Sequence, residues 1–182
     1  SPLVGTIMAE ATRVARNAME IKDIDYRAVA DAINALGEEL DRRMDADATD
    51  APSLYLVING LQRYRMLRKS DDDFGMSASL SSFGDPDAPV SAAKPDATLV
   101  KLLREGPNFG IFTIAWCDTV VNMERTLPRG LLKEFDQRAV MQMSQTDSST
   151  LIDSPVAGNL GQHRMLLAIE SQGTTEKFRP YQ

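Results

Sequence analysis

The chain has 182 residues, 43% hydrophobic and 25% charged, with a formal net charge of -6. That length suits one domain able to bury roughly 70% of its unfolded surface, so folding needs no metal or disulfide staple. One cysteine and one histidine cannot assemble the usual zinc ligand sets, no apolar stretch approaches the ~20 residues of a membrane span, and the acidic balance argues against a surface that coats nucleic acid non-specifically.

The opening "SPLVGTIMAEATR" lacks the basic-then-apolar order of a signal peptide. With Cys117 as the single thiol, it predicts a cytoplasmic protein, which leaves membrane association of a parent chain open. Residues 3–10 read as a helix and residues 12–16 as a short strand. Next comes "DYRAVADAINALGEELDRRM", where Val29, Ile33, Leu36 and Leu40 form a helical stripe, with Asp25 as the expected N-cap and fraying in "DADATDAP". Further strands are expected at 54–58, 111–116, 139–143 and 165–169, and further helices at 96–105 and in "PRGLLKEFDQ". Strands alternating with helices predict an α/β fold, a mostly parallel sheet with flanking helices, in a single domain spanning 1–182. Residues 75–94, dominated by Ser, Ala, Asp, Pro and Gly, read as a flexible loop inserted in that layer.

The stretch "SLYLVINGLQR" poses a specific question. Leu54 to Ile58 reads as a strand buried on both faces, and Asn59-Gly60 is a strong hairpin signal. The residues after it do not alternate as a returning strand would. Leu61, Tyr64 and Leu67 recur at helical spacing instead, so the expectation is a strand that turns and enters a helix. In open α/β sheets ligands bind at such carboxyl strand ends.

Few other stretches carry chemistry. Asp71, Asp72 and Asp73 are adjacent, which points them in different directions and fits a solvated loop better than a cation site. Arg63, Arg65, Arg68 and Lys69 read as the wet face of an amphipathic element. His163 reads as a turn histidine. In "TDSSTLIDSP", Asp147, Ser148 and Asp153 suit capping of a turn or short helix. No G-x-S-x-G elbow surrounds these serines, and none of the eleven glycines is followed by Lys, so the phosphate-cradling P-loop is not in this chain.

Several stretches in fixed order resemble the later half of an FtsK/SpoIIIE-type P-loop ATPase domain. They are "LDRRM", "SLYLVINGLQRY", "LLREGPNFGIFTIAWCDT", "FDQRAVMQMSQTDSSTLIDSPVAGNLGQHRMLL" and the tail "EKFRP". The resemblance implies part of a RecA-like P-loop NTPase fold, and a ring-forming, ATP-driven motor that moves DNA. Other copies or modules of the parent ATPase would be its partners. Asn59 and Gly60 then stand where the family carries the Walker B acids that fix Mg²⁺ and position water. Trp116, Cys117 and Asp118 occupy the polar sensor segment, while Asp147, Ser148 and Gly161 fit the family's Asp-Ser and Leu-Gly positions in the nucleotide-binding region.

The missing P-loop and the altered acids imply that ATP and Mg²⁺ belong to an intact parent, that neither binds this fragment tightly, and that this fragment alone does not hydrolyse ATP. Two explanations stay open: an excised part of a longer protein, or a degenerate module. The alternative functions are a degenerate module of a type VII-like protein-secretion ATPase, with a protein substrate, or a non-catalytic interaction domain.

Overall fold

The computed structural model describes residues 20–69, 94–127 and 130–180. The expected helix at 3–10, the strand at 12–16, Asp71 to Asp73 and nearly all of the loop at 75–94 lie outside the described residues. The remainder is an α/β fold in which helices and strands alternate.

Asp25 caps a 3₁₀ turn (Tyr26–Ala28), its carboxylate accepting the Arg27 backbone N–H at 2.9 Å, and the turn feeds helix α1 (Val29–Asp45). Its buried residues are Ile33, Gly37, Leu40 and Arg43, three or four apart, so one face is driven inward. Strand β1 (Leu54–Asn59) follows, then helix α2 (Pro95–Glu105) and strand β2 (Ile111–Trp116). Pro95 at the first helical position costs no hydrogen bond there.

Strands β1 and β2 pair in parallel, with Leu54 opposite Ile111 and Asn59 opposite Trp116. Helices α1 and α2 cover one face of this pair. Leu40, Leu102 and Ile111 are fully shielded there, each contributing roughly 2 kcal/mol of transfer free energy.

Helix α3 (Val120–Thr126) starts at Thr119, whose hydroxyl accepts the Asn122 backbone N–H at 3.2 Å. Strand β3 (Gln137–Val140), helix α4 (Gln145–Ile152), strand β4 (Met165–Ile169) and strand β5 (Thr174–Phe178) complete the chain. A second, smaller core of Val140, Ile152, Ala157, Leu160 and Leu166 holds this part together. No helix among the described residues is long and apolar enough to cross a membrane.

Five expectations need correction. Strand β1 is not buried on both faces: Tyr55 and Val57 stay exposed on the side away from α1 and α2. Among the described residues the sheet is not mostly parallel: β3, β4 and β5 form a separate antiparallel sheet in that order. Strand β5 escaped notice because it is exposed throughout and carries one large apolar residue, Phe178; the 3₁₀ turn Glu170–Gln172 and left-handed Gly173 return it onto β4. The helix expected after Gly60 is two 3₁₀ turns, Leu61–Arg63 and Arg65–Leu67, because Tyr64 between them leaves helical angles at φ -96°, ψ 89°. "PRGLLKEFDQ" supplies only the 3₁₀ turn Leu131–Glu134 before β3, which begins two residues earlier than expected.

Candidate functional site

Asn-Gly at residues 59–60 is a strand terminator rather than a hairpin. Gly60 sits in the left-handed region at φ 84°, which a residue without Cβ adopts cheaply. Its N–H still donates to the Trp116 carbonyl at 3.2 Å, so the parallel ladder runs to the last residue of both strands. Asn59 and Trp116 are therefore neighbours in register, both exposed on the face that α1 and α2 leave bare.

The chain turns at Cys117 into a polar knot. The Asp118 carboxylate accepts from the Asn122 amide at 2.9 Å and from the Thr119 hydroxyl at 3.3 Å. The Asn122 hydrogen bond, helped by Thr119, holds the Asp118 carboxyl below the usual range, although the group is exposed. The Cys117 thiol donates to the Thr119 carbonyl at 3.5 Å, and burial pushes its pKa up, so it is a poor thiolate source.

Cys117, Asp118 and Thr119 line one wall of a cleft of about 260 Å³, together with Ala115 and Met123. Residues of β3, Met143, Asp147 and Leu151 form the opposite wall, so the cleft lies between the two sheets. Its lining is largely apolar, with the Asp118 and Asp147 side chains as its acids. Arg138 also reaches it, but its guanidinium is committed: Nε donates to the Phe135 carbonyl at 3.1 Å, Nη1 to the Leu151 carbonyl at 2.8 Å, and Nη2 pairs with Glu170.

The structure thus divides the expected site residues. Cys117, Asp118 and Asp147 meet at the cleft, whereas Trp116 and Asn59 point to the bare sheet face. Gly161 is a turn glycine at φ 84°. Ser148 is structural: it is fully buried within α4, donates to the Ser154 carbonyl and accepts the Ala157 N–H at 3.1 Å. The cap of α4 is Ser144, which accepts the Asp147 N–H at 3.0 Å, and Asp153 closes the helix in the left-handed region at φ 54°.

Ser148→Ala is expected to cost about 2 kcal/mol, since a buried N–H and carbonyl lose their partner; urea denaturation of the variant measures it. Sequence reasoning missed α3 and its Thr119 cap, although a Thr directly before an apolar pair is an N-cap candidate.

At the positions that the resemblance aligns with the nucleotide site, the side chains fit Mg-ATP poorly. Asn59 offers a neutral amide where a hard cation prefers carboxylate, Gly60 offers no side chain, and the Ser148 hydroxyl is already spent on the backbone. Among the described residues no group of three His, Cys, Asp or Glu side chains is placed to hold a metal ion. Comparison with protein-family models and with curated proteins returns no match.

Proposed function

We propose that this chain is the later half of an FtsK/SpoIIIE-like, RecA-like module of an ATP-driven DNA translocase, with the acid positions altered so that it does not hydrolyse ATP by itself. One observation carries the reading. Asn59-Gly60 and Trp116-Cys117-Asp118 end two adjacent parallel strands in register, the place where α/β proteins gather ligand-binding groups. These are also the two stretches that the resemblance aligns with the Walker B and sensor positions. In such a ring, nucleotide would lie between copies or modules of the parent, with DNA as the cargo.

The test uses a parent chain that supplies a phosphate-cradling loop. Asn59→Asp is expected to raise Mg²⁺-dependent ATP turnover, because a carboxylate replaces a neutral ligand at the strand end. Unchanged turnover, with nucleotide binding retained, would sink the account of the altered site. Gly60→Glu is the poorer variant: at φ 84° a side chain is strained, and its Cβ would lie 3.1 Å from the Arg63 side chain.

A second reading, a degenerate module of a protein-secretion ATPase, is favoured by the same neutral Asn59 and side-chain-free Gly60, which suit docking better than hydrolysis. Salt-dependent DNA binding supports the first reading, since phosphate contacts release counterions, and saturable peptide binding supports the second.

A further inference from the structure

The charged side chains among the described lining of the cleft are Asp118, Asp147 and Arg138. Arg138 is spent, because its guanidinium already serves two carbonyls and Glu170. The two acids are not. The Asn122 amide and the Thr119 hydroxyl both donate to Oδ1 of Asp118, which leaves Oδ2 open. The Asp147 carboxylate has no hydrogen-bond or ion-pair partner among the described residues, and its backbone N–H is the group that meets Ser144.

Between the acids the walls are apolar. Leu127, Phe135 and Leu151 offer hydrocarbon, while Met123 and Met143 offer flexible thioethers that adapt to the shape they touch. A recessed apolar surface with a few convergent polar groups is the usual form of a small-molecule site, and charge of one sign in such a cleft draws a counter-charge into it.

We propose that the cleft binds a small organic cation, an ammonium head on a compact aromatic or branched hydrocarbon body. Asp118 Oδ2 and Asp147 draw the head, and Met123, Phe135 and Met143 hold the body. Size restricts the ligand: pockets for drug-sized molecules run from about 300 to 1,000 Å³, and this cleft, at about 260 Å³, suits little more than one ring with a short alkyl arm. Charge restricts it further. An anion, a nucleotide phosphate included, would meet two unneutralised carboxylates and no uncommitted cation among the described lining residues.

Cys117 is the single thiol and lines the cleft, so its alkylation by iodoacetamide reads occupancy there. The probe is 2-phenylethylammonium. At about ten times its dissociation constant it is expected to slow alkylation of the full chain roughly tenfold, since the empty cleft alone reacts. 3-Phenylpropionate, similar in shape and opposite in charge, is expected to give no protection. Asp147→Asn is expected to weaken binding about tenfold through loss of a charge-assisted contact. Asp50→Asn, which removes the same charge ahead of β1 and outside the cleft lining, leaves binding unchanged. Because the Asp147 carboxylate holds no other part of the chain, its loss tests the ligand contact rather than the fold.

Four results would overturn the proposal. They are an unchanged alkylation rate, equal protection by the ammonium and the carboxylate, equal affinity in the Asp147→Asn and Asp50→Asn chains, or protection that only a Lys- or Arg-bearing peptide gives. None of them bears on nucleotide turnover, so this inference and the proposed function fail separately.

Discussion

Replacing Arg43 by Met is expected to destabilise the protein by about 4 kcal/mol, because two charge-assisted hydrogen bonds to carbonyls disappear, each worth roughly 1.5–3 kcal/mol. Arg43 is buried near the end of α1, and its guanidinium joins three separated pieces of chain. Nη1 donates to the Phe109 carbonyl at 2.7 Å, Nη2 to the Pro52 carbonyl at 2.9 Å, and Nε to Glu39 at 2.7 Å. The first two bonds hold the residues that lead into β2 and β1, so this one side chain helps set where both parallel strands begin. Met keeps most of the aliphatic volume, which isolates the polar loss from a packing loss. Thermal melting is the direct readout, with a fall in Tm of roughly 10 °C for a domain of this size. A fall of only a degree or two would mean that water replaces the guanidinium at both carbonyls.

Gly37→Leu should be almost as damaging, at about 3 kcal/mol, by overpacking. Gly37 is buried on α1 where that helix crosses α2, and a Cβ built there lies 2.5 Å from the Thr98 Cγ2 methyl. Thr98 cannot simply swing away. It is β-branched and buried, and its hydroxyl lies 3.2 Å from both the Asn34 side-chain oxygen and the Lys94 carbonyl. Gly37→Ala is the informative companion: Ala gains helix propensity of roughly 1 kcal/mol over Gly, against the same methyl clash. Chemical denaturation of both variants should therefore show a loss for Ala that propensity offsets only in part, and a larger loss for Leu. Equal, small effects would show that the two helices separate easily.

The expected elements rested on signals of unequal reach. β2 and β4 occupy the residues that their apolar runs suggest, and β1 is longer than expected by Asn59 alone. α1 and α2 follow their hydrophobic stripes. These signals are local: a side chain's alternation or 3.6-residue recurrence records which face of its own element is dry. The site was legible only as positions along the chain. Nothing local in Trp116-Cys117-Asp118 tells that Trp116 turns to the bare face while Cys117 and Asp118 enter the cleft. Alternation separates Trp116 from Cys117, but which face stays bare depends on where α1 and α2 pack, and Asp118 reaches the cleft because the chain leaves the strand after Trp116. Likewise Ser148 reads as a cap or a binding residue until Ser154 and Ala157 fold back onto its hydroxyl.

By itself, then, the sequence determined the α/β class, the stripes of α1 and α2, the apolar strands, and the turn at Gly60, because each depends on a residue and its near neighbours. Only the tertiary structure decided that β3, β4 and β5 form their own antiparallel sheet, that Arg43 and Arg138 serve as internal ties, and that one face of the parallel pair stays bare among the described residues. The physical reason is that strand direction, buried polar pairing and face coverage are set by groups distant in sequence, whose contacts exist only after the chain has closed on itself.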